Sequence, residues 1–182
     1  MAEPVSHYLL RCRTRAQRPG ILALGLAAIA LLGGESFVTT RPLLIYNASA
    51  SAPIGFYRVL PPDPLRRGEL VLVRTPKSVR DLAAKRGYLP LGVPLVKRVA
   101  ALSGDTVCIV HHVVRIDGRP VAKQRAEDTK GRPLPQWSGC RTLGSDDVFL
   151  LMAGIPDSFD GRYFGPVSAR AVIGCLVPLG RP

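Results

Sequence analysis

The run PLVKRVAAL, residues 94–102, places a lysine among aliphatic side chains. Alternate side chains of a β-strand share one face, so Lys97 would lie beside Leu95 and Val99 if this run is a strand. Such neighbours exclude water, which disfavours the charged form of an amine and lowers its pKa. A neutral lysine amine can act as a general base. The same run could instead be an edge strand whose lysine amine reaches water.

A serine that such a base could activate lies in the run NASASAPIGFY, residues 47–57. A serine hydroxyl is a weak nucleophile until a neighbouring base takes its proton, and serine–lysine pairs are one way of doing this. Pro53 and Gly55 force a sharp chain path that could expose Ser51 and its backbone N–H. Two other interpretations stay open. The run could be a polar linker, or it could be a cleavage site, since it holds two overlapping Ala-x-Ala triplets.

A long apolar run precedes this serine. Four arginines come directly before residues 21–34, and arginines in that position keep the N-terminal side of a spanning segment in the cytoplasm. The pattern predicts a basic cytoplasmic tail at 1–20, a transmembrane anchor at 21–38 and an exported domain at 43–182. The length of the run also fits the apolar region of a signal peptide.

The two Ala-x-Ala triplets lie far beyond the apolar run. Arg41, Pro42 and a second apolar run, LLIY, separate Ala50 and Ala52 from it, whereas a signal-peptide cleavage site normally follows within a few residues. We therefore expect the anchor to be retained and the main domain to lie on the exported side of the membrane.

The formal net charge is +12, which suits either nucleic acid or an anionic membrane surface. Only 6% of residues are aromatic, and they do not alternate with basic runs, so the sequence favours the membrane and no nucleic-acid partner. The three histidines are His7, His111 and His112. They support neither a Ser-His-Asp triad nor a metal site, and we expect no cofactor.

The four cysteines divide between the two sides of the predicted anchor. Cys12 would be cytoplasmic and reduced, whereas Cys108, Cys140 and Cys175 would be exported to where disulfides persist. Three cysteines form at most one internal pair. Cys175 lies in an apolar strand-like run, where a buried thiol is ordinary, so we favour a disulfide between Cys108 and Cys140.

Short strand-like runs bounded by proline and glycine fill the exported part. They lie at residues 56–60, 69–74, 94–102, 103–110, 113–122, 148–152 and 171–179. Asp117-Gly118 predicts a hairpin turn, and residues 78–87 predict the one helix, with Ser78 as its N-cap. An irregular excursion is expected at about 111–146. The fold class is mainly β.

Four runs in this order, NASASAPIGFY, GELVLVR, LVKRVAALSGDTV and PDSFDGRYFGPV, resemble the bacterial type I signal peptidases, and among them the conjugative-transfer (TraF-type) branch. That family has a serine box just after a membrane anchor, then a Gly-Asp/Glu strand, a Lys-Arg…Gly-Asp box and an Asp-x-Arg-Tyr-x-Gly box. The resemblance covers roughly residues 20–177. It implies a signal-peptidase-like β fold with one small peripheral helix and an N-terminal transmembrane helix.

The resemblance also implies roles at individual positions. Ser51 matches the nucleophile and Lys97 its general base. Ser49 matches a serine whose hydroxyl helps the Ser51 N–H hold an oxyanion, and Ser158 matches a serine that orients the lysine amine.

Other positions match residues that support the fold. Asp160 and Arg162 match a structural ion pair, while Arg98 and Asp105 match residues that shape the turn after the lysine strand. The sequence departs from the housekeeping enzymes in three ways. Ala52 stands where they carry methionine, and the spacing from the serine to the proline is one residue shorter than theirs. Gly161 stands where they usually carry serine. All three departures fit the conjugative branch.

The implied activity is that of a serine endopeptidase anchored in a bacterial inner membrane by a single span, with its N-terminus in the cytoplasm and its catalytic domain in the periplasm. It would cleave exported precursors after small residues, and its substrate would be a conjugative pilin precursor, with pilin cyclisation in some relatives. Two alternatives stay open: a housekeeping signal peptidase, and a non-catalytic periplasmic scaffold of a transfer or secretion apparatus.

Overall fold

The computed structural model describes residues 42–62 and 64–180, so the predicted tail and anchor lie outside the described residues. In the described part, two antiparallel sheets make the protein mainly β. The strands are β1 (Leu44–Asn47), β2 (Gly55–Leu60), β3 (Leu70–Val73), β4 (Leu95–Ala101), β5 (Thr106–Val110), β6 (Val113–Ile116), β7 (Arg119–Lys123), β8 (Gly139–Thr142), β9 (Asp147–Leu150), β10 (Val167–Ser168) and β11 (Val172–Pro178).

Lys97 lies on an interior strand of the larger sheet. The strand order there is β1-β2-β11-β3-β4-β9-β10, so β4 is hydrogen-bonded on both sides. Val71 of β3 lies opposite Lys97, and Leu150 of β9 lies opposite Val99. Arg98 is the exposed residue of β4, as the alternation predicts. The edge-strand interpretation of Lys97 is therefore wrong, because a two-sided strand holds this lysine within the core.

The smaller sheet has the order β7-β6-β5-β8. Three of its strands, β6, β7 and β8, lie within the segment at about 111–146 that was predicted as an irregular excursion, and β6 and β7 form the hairpin that Asp117-Gly118 predicted. Cys108 of β5 lies directly opposite Cys140 of β8, and the two cysteines form a disulfide. The pairing that the sequence favoured is thus present in the structure.

Two tight turns connect strands of the smaller sheet. Asp117 and Gly118 join β6 to β7 with φ values of 49° and 77°, the left-handed conformation that Asp-Gly hairpins favour. His111 and His112 adopt φ values of 49° and 62° between β5 and β6. They are therefore exposed turn residues.

The described part contains two α-helices rather than the one that was predicted. Helix α1 (Lys77–Lys85) begins one residue before Ser78 and follows Pro76, so the predicted N-cap is wrong. Pro76 has no side-chain acceptor, so the helix starts without a side-chain cap, and the Pro76 carbonyl accepts from the backbone N–H groups of Val79 and Arg80 at 3.1 and 3.0 Å. Helix α2 (Gly161–Phe164) is short and capped by the Asp160 side chain. No helix in residues 42–62 and 64–180 is both long and apolar enough to cross a membrane.

Candidate active site

Ser51 lies in the connection between β1 and β2, residues 48–54. Its side chain is close to that of Ser49: the two Oγ atoms lie 2.8 Å apart, within hydrogen-bonding distance. The backbone N–H of Ser51 also donates to Ser49 Oγ at 3.2 Å. The adjacent Ala52 is 4% exposed and packs in the core, which fixes one end of the loop. The hydroxyl and the N–H of Ser51 therefore both contact the Ser49 hydroxyl.

Asn47 organises this loop, and sequence analysis missed it. Its side chain is buried at the end of β1. The Asn47 Oδ1 accepts from the backbone N–H of Ser49 at 3.1 Å, and its Nδ2 faces the carbonyl oxygens of Ser49, Ala52 and Pro53 at 3.0, 3.1 and 3.0 Å. Tyr57 Oη donates to the Pro53 carbonyl at 2.6 Å. The loop on both sides of Ser51 is thus held by one buried amide and one phenol.

We expect Asn47→Asp to lower kcat at least about tenfold, because the buried Ala52 carbonyl then loses its donor, at a cost of about 1–3 kcal/mol, and the loop that carries Ser51 shifts to relieve it. The carboxylate keeps the acceptor for the Ser49 N–H but turns an oxygen towards the carbonyls of Ala52 and Pro53. Steady-state kinetics, with thermal unfolding to show that the variant is folded, measures this effect. A folded variant with the wild-type kcat would show that the Asn47 amide does not position the loop that carries Ser51.

Lys97 is 2% exposed, and its Nζ donates to Ser158 Oγ at 2.8 Å. Burial lowers the pKa of the Lys97 amine to about 8, while the Asp160 carboxylate raises it and the Arg162 guanidinium lowers it. The amine is therefore neutral in a large fraction of molecules at mildly alkaline pH, as a general base requires.

A buried ion pair supports the segment that carries Ser158. Asp160 and Arg162 are 0% and 1% exposed, and their side chains approach to 2.8 Å. The Asp160 carboxylate also accepts from the backbone N–H of Met152 at 3.0 Å. The Arg162 guanidinium donates to the carbonyls of Met152 and Ile155 at 3.2 and 2.7 Å. These bonds tie residues 152–162, which we call the lysine loop, into one rigid unit.

Gly161 lies between the members of this ion pair and has no room for a side chain. A Cβ there would lie 2.6 Å from the Leu150 carbonyl oxygen and 2.7 Å from Phe149 Cε2. The close approach of β9 therefore accounts physically for glycine at the position where the housekeeping enzymes usually carry serine.

Ser49, Ser51 and Lys97 line the same cavity, which has a volume of about 630 Å³. Among the described residues, no hydrogen bond joins Ser51 Oγ to Lys97 Nζ; the hydroxyl pairs with Ser49 and the amine with Ser158. The structure thus brings a serine, a second hydroxyl and a buried amine to one cavity, a set of groups suited to acyl transfer.

Arg98 and Asp105 lie outside this cavity. Asp105 holds the turn after β4, whereas Arg98 bonds to the turn before β3 and not to the turn after β4 that the resemblance implied. Arg98 Nη1 donates to the Gly68 carbonyl. Asp105 is buried, accepts from the Leu102 backbone N–H at 2.9 Å and pairs with Arg67. Their contacts are those of structural residues.

Cys175 is the one free cysteine of residues 42–62 and 64–180, and it is not activated. Burial and the neighbouring Glu69 carboxylate raise the pKa of its thiol to about 11, and its Sγ donates to Glu69 Oε2 at 3.5 Å. A thiol with so high a pKa is a poor nucleophile near neutral pH. In the same part of the chain, no three His, Cys, Asp or Glu side chains are grouped so as to hold a metal ion.

Comparison with known proteins matches residues 18–178 to the family described as signal peptidase, peptidase S26. A plasmid transfer protein TraF of Escherichia coli is 33% identical over 88% of this chain and 93% of its own length. A second plasmid transfer protein TraF of Escherichia coli is 36% identical over 87% of this chain and 93% of its own length. A signal peptidase I of Leptolyngbya laminosa is 26% identical over 87% of this chain and 76% of its own length.

With its mainly β fold and these matches over most of its length, the chain belongs to the signal peptidase family, peptidase S26. Its resemblance to the TraF-type transfer proteins within that family is confirmed at 33–36% identity.

Proposed function

We propose that the protein is a serine endopeptidase in which Ser51 is the nucleophile and Lys97 the general base. The observation that carries this proposal is the Lys97 amine, buried on an interior strand with its pKa lowered to about 8, in the cavity that Ser51 also lines. Burying an ionisable amine costs stability unless the group is in an ion pair, and Lys97 forms no ion pair within the described residues, so its chemistry explains its presence better than a contribution to folding does.

The reaction begins when the neutral Lys97 amine accepts the Ser51 proton and Ser51 Oγ attacks the carbonyl carbon of the scissile bond. For this step the Ser51 hydroxyl exchanges its Ser49 partner for the amine, a contact that often forms only in the substrate complex. The tetrahedral intermediate collapses when Lys97 returns the proton to the leaving amine. This acylation step releases the part of the precursor that follows the scissile bond and leaves the part before it as an ester on Ser51.

The Ser51 N–H and the Ser49 hydroxyl stabilise the charge on the intermediate. They bond to each other in the structure, so the developing oxyanion takes the place of one protein–protein contact and gains two donors. Removing one such donor typically costs about 2.7–4 kcal/mol of barrier. Ser158 orients the Lys97 amine through their hydrogen bond. A water molecule or an external amine then attacks the ester and releases the acyl group, with Lys97 again as the base.

The setting of this activity is the second part of the proposal. Greater identity to two plasmid transfer proteins than to a signal peptidase I supports a role in conjugative transfer, with a pilin-like precursor cut after small residues as substrate. The family match includes the apolar run at 21–38, which supports a membrane anchor. The disulfide between Cys108 and Cys140 supports placement of the domain in the periplasm, where disulfides persist.

Incubation of candidate precursors with the wild type and with Ser51→Ala tests the proposal. The full-length protein in detergent or vesicles should release the mature N-terminus of a pilin precursor, as identified by mass spectrometry, and Ser51→Ala should not. Preference for a general secretory precursor over the pilin precursor would support the housekeeping role instead. Absence of Ser51-dependent cleavage of either precursor by folded protein would favour the scaffold.

We expect the rate of precursor cleavage to rise with pH through a midpoint near 8 and to reach an alkaline plateau. The protonated amine that dominates below the Lys97 pKa cannot accept the Ser51 proton, whereas the neutral amine above it can. The kcat/KM profile of the free enzyme between about pH 6 and 10 measures this titration. A flat profile, or one that falls across this range, would rule out Lys97 as the titrating base.

A further inference from the structure

The lysine loop is held on its outer side by the connection between β7 and β8. We define the clamp segment as residues 123–137, which run from the end of β7 towards β8. Its hydrogen bonds to residues 161–163 include side-chain and backbone contacts over sequence separations of 24–39 residues. Two of these bonds come from side-chain donors of the clamp segment itself, those of Gln124 and Trp137.

Gln124 is a buried amide that reaches the lysine loop. It is 6% exposed, and its Nε2 donates to the Arg162 carbonyl at 2.7 Å. A second contact from Nε2 to the Trp137 carbonyl, at 3.4 Å, ties the two ends of the clamp segment together. A buried amide is retained where its hydrogen bonds are satisfied, and here its short bond is made to the loop.

Trp137 makes the second contact. Its indole Nε1 donates to the Gly161 carbonyl at 3.0 Å, and its ring packs edge-on against Phe149 at a centroid distance of 6.4 Å. The ring thus reaches both the strand that excludes a side chain at Gly161 and the carbonyl of Gly161 itself. Together, Gln124 and Trp137 fix two consecutive carbonyls of the lysine loop.

These carbonyls are directly linked to the residues that act on Lys97. Gly161 and Arg162 follow Asp160, whose carboxylate binds both the Arg162 guanidinium and the Met152 backbone. The same loop carries Ser158, which receives the hydrogen bond from the Lys97 amine. A loop free to move at 161–162 would therefore release Ser158 and admit water to the amine.

The disulfide closes the segment that contains the clamp. Cys108 and Cys140 join β5 to β8 across a sequence separation of 32, and the clamp segment lies wholly between them. The smaller sheet and its disulfide therefore fix both ends of the clamp segment relative to the strands beneath it.

We propose that Gln124 and Trp137 are positioning residues that hold Lys97 in its catalytic state through the lysine loop, and that the disulfide-bonded smaller sheet serves to hold them. This inference rests on the proposed function. Under this proposal the residues at about 111–146 contribute to catalysis indirectly. The smaller sheet holds Gln124 and Trp137, and these two residues hold the loop that positions Lys97.

Two variants test the inference. Trp137→Phe keeps the aromatic packing against Phe149 but removes the N–H donor, and Gln124→Ala removes the other donor. For each variant in the full-length protein, kcat should fall at least about tenfold with KM little changed, since neither Gln124 nor Trp137 lines the cavity that Ser51 and Lys97 share. The pH midpoint of kcat/KM should rise from near 8 towards the ~10.4 of a free lysine, because water then reaches the amine.

The shift in midpoint separates positioning from a general loss of stability. Asp160 and Arg162 are the charged groups that shift the Lys97 pKa, and neither variant changes them. The other ionisable side chains lining the cavity are also unchanged: Tyr46, Tyr88, Arg125, Glu127, Asp128, Asp157 and Tyr163. Variants that are less stable but keep the wild-type kcat and midpoint would overturn the inference, and so would a wild-type midpoint in variants of lower kcat.

Arg141→Gln is the matched control. Arg141 lies on β8 of the same sheet and pairs with Asp147 on the surface, and it has no contact with the lysine loop in the described part. It should behave as the wild type. Ser51→Ala in the same assay distinguishes the two claims: if Ser51→Ala cleaves like the wild type, the proposed function fails, whereas if it is inactive and both clamp variants are normal, only the clamp fails.

Discussion

Replacing Lys97 with arginine should reduce precursor cleavage by roughly 10²–10⁴-fold, the contribution that general acid–base catalysis typically makes. Arginine keeps the positive charge and a similar length, but a guanidinium does not lose its proton in a protein and so cannot accept one from Ser51. An exposed lysine contributing only charge would tolerate the change; Lys97 is 2% exposed on an interior strand, so it should not. Single-turnover cleavage at alkaline pH measures the loss.

Lys97→Met controls for the fold in this experiment. A second buried guanidinium beside Arg162 could destabilise the domain, whereas methionine has a similar length, carries no charge and suits an apolar site. Lys97→Met should fold and be inactive, which assigns the loss to the missing base. Near-wild-type cleavage by folded Lys97→Arg would end the serine–lysine proposal.

Asp160→Asn should lower the free energy of unfolding by about 3–5 kcal/mol, because removing one partner of a buried ion pair leaves an uncompensated charge in the core. Asp160 is 0% exposed, and its carboxylate binds the Arg162 guanidinium at 2.8 and 2.9 Å. Asparagine keeps the shape of the side chain, but it replaces one carboxylate oxygen with an NH2 group, which then faces N–H donors instead of accepting from them. Urea unfolding of the wild type and the variant, with equal m-values, measures the difference.

Asp146→Asn is the surface control for that measurement. Asp146 pairs with Arg170 at 3.7 Å, and the two side chains are 51% and 90% exposed. Exposed pairs contribute only about 0–1 kcal/mol, so this variant should unfold close to the wild type. Equal and small effects in the two variants would mean that the buried pair does not stabilise the lysine loop.

Strand β4, which carries Lys97, was predictable because its pattern is local. Alternation in residues 94–102 places Lys97 with aliphatic side chains and Arg98 outside, and the structure has this arrangement. The same alternation fits an edge strand and an interior strand equally well, so the position of β4 between β3 and β9 became known only from the sheet order. Strand β1 was missed because only four residues form it, and its run LLIY was noted only as a second apolar run between the predicted anchor and the serine.

The residues that the sequence analysis missed act through distant backbone groups. Asn47 reads as one more polar residue of a Ser/Ala run, and only the folded loop shows its amide facing three carbonyls. Gln124 and Trp137 bond to carbonyls 38 and 24 residues away. Every residue has the same backbone carbonyl, so no pattern of residue types predicts these contacts. The glycine at 161 was visible as a departure, but its cause, the closeness of β9, was not.

The central claim is that Ser51 forms the covalent intermediate, and mapping an acyl-enzyme tests it most directly. Wild-type protein and precursor should be mixed at alkaline pH, quenched in acid within one turnover, digested and analysed by mass spectrometry. The account predicts an ester of the precursor's small-residue carboxyl end on the peptide that contains Ser51, no adduct in Ser51→Ala, and none above background in Lys97→Arg. An adduct on another residue, or cleavage at the same bond by Ser51→Ala, would contradict it.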